Sequence, residues 1–240
     1  MTFDDIESTI ASLMATWSAL DARWLGKLFR SATAYETFTA LENELFVSKE
    51  QAYGGPLLVS SATRGEGRTT IALLLAVMSS AFDRTRQVLL IDADTDSGRL
   101  SALFGAGGRG AGLRELFDGT ATADQCIAAT AIPNLWLTPL SREAAGGVRL
   151  APLLFKQFVD EVRPRFDLMI VDSPAAGGNR GILSLANIVR NVLIVIKYGG
   201  PTREQVATLK ADLERTEASV LGCILNQREL VVPRLLYGSR

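Results

Sequence analysis

A glycine-containing loop between a predicted strand and a predicted helix constrains this chain more than any other stretch. The loop is SSATRGEGRTT at 60–70; it follows the apolar run PLLVS at 56–60 and precedes the helix-like run IALLLAVMSSAF at 71–82. Strand, glycine loop and helix in this order are typical of a phosphate-binding loop, in which backbone N–H groups and a helix N-terminus converge on an anion. We therefore expect Gly65 and Gly67 to allow positive φ angles and close approach of a diphosphate.

The loop departs from the usual phosphate-binding pattern, G-x-x-x-x-G-K-[ST], at two positions. Ala62 stands at the first glycine, and Arg68 replaces the lysine. Gly67 fits the second glycine, and Thr69 supplies the hydroxyl that such loops place on Mg²⁺. A glycine-rich turn that binds no ligand is the alternative interpretation of this stretch.

The composition limits the chemistry that the chain can use. Among its 240 residues there is no histidine, and 25 basic and 26 acidic residues give a formal net charge of −1. Charge balanced in this way forms no basic footprint for a nucleic-acid backbone, so nucleic acid is not an expected partner. Without histidine, acid, base or metal chemistry must use carboxylates and hydroxyls, which favours Mg²⁺ and phosphates.

The cysteines and the lengths of the apolar runs predict a cytoplasmic protein. Cys126 and Cys223 lie far apart in apolar segments, which indicates reduced thiols in the core. No apolar run reaches the roughly 20 residues of a membrane helix, and the sequence shows no basic-then-apolar leader. We expect a cytoplasmic location; recruitment to the inner face of the membrane by a partner stays open.

The N-terminal part predicts a helical arm. Residues 2–30 carry one apolar stripe, made of Ile6, Ile10, Leu13, Trp17, Leu20, Trp24 and Leu28. Such a stripe is typical of core or subunit packing; docking of a membrane-bound partner and direct lipid binding are the alternatives. A second helix is predicted at 36–46. The predicted divisions are a helical arm at 1–50, a main domain at 51–228 and a C-terminal tail at 229–240.

Strand and helix patterns alternate through the main domain. Near-continuous apolar runs, typical of strands buried on both faces, lie at 56–60, 87–94, 134–140, 167–174, 191–199 and 219–226. Helical patterns lie at 70–82, 149–163, 180–190 and 203–215. The predicted fold class is α/β, a doubly wound, mostly parallel sheet with helices on both faces. Ligands of such sheets bind at the carboxyl ends of the strands.

Four polar side chains are predicted to meet at that edge of the sheet. Thr69 lies in the loop, Asp92 and Asp94 follow the second strand, and Asp172 ends the strand at 167–174. A hydroxyl on Mg²⁺ and carboxylates around it are what phosphoryl chemistry on a nucleotide needs. An aspartate after a strand is often only a helix cap. The joint occurrence of these residues with the loop favours a nucleotide site.

These motifs together resemble one family. The loop, LLIDAD at 89–94, IVDSP at 170–174 and LGCILN at 221–226 resemble the bacterial tyrosine autokinases of capsular and exopolysaccharide synthesis, relatives of the MinD and ParA ATPases. The resemblance spans residues 33–226 and implies a P-loop fold that binds ATP and Mg²⁺. It implies catalytic roles for Arg68, Asp92 and Asp94, and Mg²⁺ binding by Thr69, Asp92 and Asp172. The nucleotide-binding residues that it implies are Gly65, Glu66, Gly67, Arg68, Thr69, Thr70 and, near the adenine, Asn226.

The chain departs from the family pattern at several positions. Arg68 replaces the loop lysine, which predicts weakened phosphoryl transfer. The family's E-x-x-R-x-x-R helix, which assembles rings, reads Glu36, Thr39 and Glu42, so monomers or dimers are expected. Other departures are Asp96 and Ser97 where basic residues usually follow the acids, Arg180 at a usual acid, and Tyr237 as the remainder of a tyrosine cluster.

Three hypotheses follow. The leading one is a cytoplasmic, ATP-binding tyrosine-autokinase-like protein that works with a membrane-bound polysaccharide co-polymerase; if active, it is a Mg-ATP-dependent autokinase or ATPase. The alternative is a non-catalytic pseudokinase scaffold of the same pathway, and a homodimer is compatible with either. A MinD/ParA-like positioning ATPase is disfavoured because its signature lysine falls at Thr63 and no basic amphipathic tail follows Asn226.

Overall fold

The structure is a computed structural model that describes residues 38–40, 55–103, 111–130, 132–141, 148–177, 179 and 181–227. Several predictions lie outside these residues: the helix at 2–30, most of the helix at 36–46, the tail at 229–240, Arg180 and Tyr237. The predicted domain boundaries therefore stay predictions.

The described strands form one seven-stranded sheet. They are β1 (Pro56–Ser60), β2 (Val88–Asp92), β3 (Ala128–Ala129), β4 (Leu135–Thr138), β5 (Leu168–Asp172), β6 (Asn191–Lys197) and β7 (Ser219–Asn226). The spatial order is β3-β4-β2-β5-β1-β6-β7. Every neighbouring pair is parallel except β3 and β4, which pair antiparallel. The predicted doubly wound, mostly parallel sheet is confirmed.

Helices cover both faces of this sheet. They are α1 (Arg68–Phe82), α2 (Arg99–Leu103), α3 (Leu113–Phe117), α4 (Pro152–Val162), α5 (Gly181–Val189) and α6 (Arg203–Glu214). Side chains of α1 and α2 pack with Leu57, Val59 and Leu90 in one core, while α3 to α6 pack with Leu58 and Leu89 in the other. None of the helices in the described part of the chain is long and apolar enough to cross a bilayer.

The central strands show why the apolar runs are continuous. All residues of β1, β2 and β5 are buried. Successive side chains enter opposite cores, so both faces of each strand must be apolar. Fully burying each Val, Leu or Ile contributes about 1.5–3 kcal/mol. This sheet is therefore a rigid support for the loops at its carboxyl edge.

The structure differs from the prediction at strand ends, in short elements and at one cysteine. The strand predicted at 87–94 ends at Asp92, because the chain turns there and the Thr95 N–H bonds to the Ala93 carbonyl. The short elements α2, α3 and β3 were not predicted, since two to five residues are too few to show a period. Cys126 is buried as predicted, but Cys223 is exposed because β7 is an edge strand.

Candidate functional site

The candidate site lies where β1, β2 and β5 end side by side. In the register of the sheet, Asp172 of β5 pairs with Asp92 of β2 on one side and with Val59 of β1 on the other. The glycine loop follows β1 directly, so the predicted residues of all three strands converge on one edge. A pocket of about 360 Å³ opens there, lined by residues 64–70 together with Asp94, Asp96, Ser97 and Arg99.

The loop has the backbone that its glycines predict. Gly65 has φ of 80° and Gly67 has φ of 94°, both in the left-handed region that favours glycine. Gly67 is also the N-cap of α1, and a Cβ at this position would overlap the side-chain amide of Asn226. Left-handed geometry and close packing both require glycine at 67. The expectation of positive φ in this loop is confirmed.

Hydrogen bonds of Glu66 and Asn226 connect the loop to the ends of β6 and β7. The Glu66 side chain is buried, and its Oε1 accepts hydrogen bonds from the backbone N–H and the hydroxyl of Thr63. Its Oε2 accepts from the backbone N–H of Lys197 at 3.1 Å. The Asn226 amide donates to the Glu66 carbonyl at 2.9 Å. Asn226 thus braces the loop and does not line the pocket, so its expected place near the adenine stays a prediction.

Arg68 does not extend freely into the pocket. Its side chain is 9% exposed, and Nη1 donates to the Ser61 hydroxyl at 2.8 Å. Nη2 lies 3.5 Å from Asp94 Oδ2, and the buried Nε has no hydrogen-bond partner. The planar guanidinium makes these two contacts through two separate nitrogens, whereas a lysine would have only one nitrogen for both. The charge that replaces the loop lysine is therefore an internal counter-ion of Asp94.

Asp94 is held by the turn that follows it. Its Oδ1 accepts from the Asp96 N–H at 3.1 Å, and its Oδ2 accepts from the Ser97 hydroxyl at 2.6 Å. Asp96 in turn contacts two other loops: Arg64 Nη2 lies 2.8 Å from its Oδ2, and the Asn179 amide donates to its Oδ1 at 3.1 Å. We call the contacts of Arg64, Asp96 and Asn179 the loop clasp. Because Arg64 is mostly exposed, its ion pair stabilises the fold by about 1 kcal/mol or less.

Asp92 is buried and almost fully satisfied. Its Oδ2 accepts from the hydroxyl of Ser101 at 2.7 Å and from the Ser101 N–H at 2.8 Å, and its Oδ1 accepts from the Asp94 N–H at 3.3 Å. Burial raises the pKa of Asp92 to about 6, although the Ser101 hydrogen bonds lower it. The Ser101 hydroxyl also accepts from the Leu140 N–H at 2.8 Å, which ties Asp92 to the end of β4.

Asp172 differs from Asp92 and Asp94 because its carboxyl oxygens lack hydrogen-bond partners. It is fully buried, and neither carboxyl oxygen has a hydrogen-bond partner of good geometry. Burial raises the pKa of Asp172 well above its usual value, and the Asp92 charge raises it further, whereas the nearby Thr69 hydroxyl and Arg68 lower it. A buried carboxyl without partners beside a hydroxyl fits a divalent cation.

The protein supplies only part of a metal site. Within the described ranges, no group of three or more Asp, Glu, Cys or His side chains is arranged to hold a metal ion. Mg²⁺ usually keeps waters and binds few protein groups together with substrate phosphates. Thr69 and Asp172 fit that kind of site, while the Asp92 oxygens are already engaged by Ser101 and Asp94.

Among proteins of similar sequence, two tyrosine kinases align with most of this chain. The tyrosine-protein kinase CpsD of Streptococcus agalactiae serotype III is 29% identical over 203 residues, which cover 84% of this chain and 85% of CpsD. The tyrosine-protein kinase Wzc of Salmonella typhi is 27% identical over 195 residues, which cover 80% of this chain and 27% of Wzc. No family model matches the sequence.

Solved structures of a bacterial tyrosine kinase domain and of a cell division ATPase share the fold of this chain. The kinase domain of the Escherichia coli tyrosine kinase ETK superposes with a TM-score of 0.69 at 23% identity, covering 83% of this chain and 76% of that domain. The cell division ATPase MinD of Pyrococcus furiosus superposes with a TM-score of 0.61 at 23% identity, covering 72% of this chain and 71% of MinD. The chain is similar in sequence to bacterial tyrosine kinases and shares the fold of their kinase domain. The resemblance to these kinases that the motifs indicated is confirmed, and the fold is shared with MinD.

Several polar residues of the site were not singled out from the sequence. They are Ser61, Arg64, Arg99, Ser101 and Asn179, which line the pocket or hydrogen-bond to charged side chains of the site. Serine and arginine are too common for one of them to indicate a site. These side chains come together only in the folded protein, where three loops meet at one edge of the sheet.

Proposed function

We propose that this protein binds ATP in the pocket at the ends of β1, β2 and β5 and regulates capsule or exopolysaccharide assembly, with weakened phosphoryl transfer. The buried Arg68, fixed to Ser61 and Asp94, carries the proposal. Arg68 keeps a positive charge at the phosphate-binding loop. Because its guanidinium contacts Ser61 and Asp94, that charge is not free to bind a phosphate in the pocket. The names of the relatives support the kinase-like pathway role.

The loop amides of Gly65, Glu66, Gly67, Thr69 and Thr70 would bind the phosphates. Thr69 and Asp172 would hold Mg²⁺, which supplies positive charge on the phosphate oxygens when bound. Asp94 lines the pocket and Asp92 does not, so Asp94 is better placed to orient a tyrosine hydroxyl or to accept its proton.

The geometry of Arg68 accounts for the proposed loss of turnover. The loop lysine of the parent motif acts as a point charge on the phosphate that is transferred, where charge develops in the transition state. The Arg68 guanidinium would have to leave Ser61 and Asp94 to reach that position. Misplacing one such electrostatic contact costs on the order of 10² to 10³ in rate.

The same contacts favour a second candidate, a non-catalytic scaffold. Arg68 neutralises Asp94, and the loop clasp links the pocket walls through the protein's own side chains. In either case the proposed partner is a membrane-bound co-polymerase, and the proposed location is the cytoplasm. A MinD-like role is not supported, because Thr63 stands at the signature lysine and its N–H and hydroxyl are bonded to Glu66.

Two measurements test the proposal. Titration with a fluorescent ATP analogue, with and without Mg²⁺, should show saturable binding, and incubation with γ-labelled ATP should give little hydrolysis or Tyr237 phosphorylation. Arg68→Lys should raise turnover with little change in affinity, whereas Arg203→Lys, outside the pocket, should change neither. Binding with an inactive Arg68→Lys variant would favour the scaffold. Absence of nucleotide binding would overturn the proposed ATP-binding function and favour the scaffold.

A further inference from the structure

The charged side chains that line the pocket balance one another. Three arginines line it, Arg64, Arg68 and Arg99, together with three acids, Glu66, Asp94 and Asp96. A nucleoside triphosphate carries several negative charges, so a pocket with balanced charge must offer it a cation that is not already neutralised. The arrangement of these six side chains therefore determines which residue that is.

Two of the three arginines are already paired with acids of the pocket. Arg64 lies 2.8 Å from Asp96 and Arg68 lies 3.5 Å from Asp94. The third acid, Glu66, is engaged by the N–H groups of Thr63 and Lys197 rather than by an arginine. Binding phosphate through Arg64 or Arg68 would leave an aspartate at the pocket without its counter-ion, which opposes the gain.

Arg99 is the pocket arginine for which the described residues supply no partner. Its guanidinium forms no ion pair or hydrogen bond in the part of the chain that the structure describes. The turn after β2 brings it to the pocket, because the Asp94 carbonyl accepts from the N–H groups of Ser97 at 3.2 Å and Gly98 at 3.0 Å. Arg99 follows directly, lines the pocket and is exposed. Its charge is available to a ligand without breaking a contact.

We infer that Arg99 is the residue whose side chain binds the polyphosphate of the nucleotide, in place of the withheld Arg68. This inference rests on the proposed function, that the pocket binds a nucleotide. A guanidinium stays charged at all relevant pH values and bonds phosphate oxygens with two parallel N–H groups. Arg99 thus adds to the loop amides the one full positive charge that the pocket does not use internally.

The test compares Arg99 with a matched arginine. Arg203 is also exposed and also begins a helix, has no ion pair among the described residues, and does not line the pocket. Titration with the fluorescent ATP analogue should show about tenfold weaker binding for Arg99→Ala and Arg99→Gln, since a hydrogen bond to a charged group is lost. Arg99→Lys should retain most of the affinity, and Arg203→Ala should match the wild type. Unfolding temperatures without nucleotide should be unchanged in all four variants.

The outcomes separate the inference from the proposed function. If the wild type does not bind the analogue, the proposed function fails and the inference fails with it. If the wild type binds and Arg99→Ala and Arg99→Gln bind as tightly as Arg203→Ala, only the inference is overturned. Equal losses in Arg99→Lys and Arg99→Ala would also overturn it, because they would mean that charge at this position does not bind the phosphates.

Discussion

Asp172 and Arg68 are two buried charged residues whose polar atoms are not all satisfied. Both Asp172 oxygens and Arg68 Nε lack hydrogen-bond partners. Unpaired buried groups of this kind cost free energy and persist in native proteins mainly where a ligand or an ion uses them. The unpaired polar atoms of Asp172 and Arg68 therefore lower the stability of the folded protein, and the pH dependence of its free energy of unfolding should show this effect.

The first prediction concerns Asp172→Asn. The pKa of Asp172 is raised in the folded state, so its contribution to stability is fully present below the unfolded pKa and is lost as pH rises through the folded pKa. The variant cannot ionise and loses no hydrogen bond. In EDTA its free energy of unfolding should exceed that of the wild type by about 1–3 kcal/mol at pH 7 and match it near pH 4.

Urea titrations at both pH values measure this difference. Glu161→Gln, an exposed carboxyl on α4, is the control and should behave as the wild type at both. Adding Mg²⁺ with ATP should raise the stability of the wild type more than that of Asp172→Asn. A variant that is less stable than the wild type at pH 7 would show that the Asp172 carboxylate is stabilising, contrary to the burial argument.

At the level of elements, the sequence predicted those that are long and have one clear pattern. The buried parallel strands gave continuous apolar runs, and helices such as α6 gave a clear helical period. The five residues of α2 gave no such signal, although Ser101 on this helix holds Asp92. The sequence also predicted which strand ends form the site, because those strands give clear apolar runs. The internal pairing of the site, above all Arg68 with Asp94, depends on side-chain packing that no local pattern encodes.

The second prediction concerns Gly112, in the loop before α3, which packs against the segment that helps to hold Asp92 through Ser101. A Cβ at Gly112 would lie 2.5 Å from the Pro139 carbonyl and 2.9 Å from the Leu140 carbonyl carbon, which are backbone atoms that cannot rotate away. Gly112→Ala should lower the free energy of unfolding by about 1–3 kcal/mol. Because the Leu140 N–H bonds to Ser101, the shift should also weaken binding of the ATP analogue.

Gly222→Ala is the matched control for this substitution. Gly222 lies in β7, has no positive φ, and has no atom within 4 Å of an added Cβ. Its replacement should leave stability unchanged or raise it by about 0.4–1 kcal/mol. Urea unfolding curves of the two variants decide the matter; equal effects would mean that the approach of Gly112 to Pro139 is not tight in solution.

At the scale of the whole molecule, hydrogen bonds and an ion pair join the three loops at the carboxyl edge of the sheet. Backbone bonds connect the chain after β5 to the chain after β1, with the Ala176 N–H on the Ser61 carbonyl at 3.0 Å and the Gly177 N–H on the Ala62 carbonyl at 2.9 Å. These bonds sit on a sheet buried on both faces and hold the floor of the site. The loop clasp is different, because it is made by exposed side chains at the rim. We therefore expect the clasp to open first when nucleotide binds.

The last prediction follows from this difference. Asp96→Ala removes a negative charge from the pocket and releases Arg64 from its ion pair. Binding of the ATP analogue should tighten, by about tenfold at low salt and less at high salt, because a freed cation near phosphate is screened by added ions. The free energy of unfolding should fall by less than about 1 kcal/mol, as for other exposed ion pairs. Asp124→Ala breaks a similar exposed pair, with Arg165, away from the pocket and should leave affinity unchanged. Weaker binding by Asp96→Ala would mean that the clasp orders the phosphate site instead of competing with it.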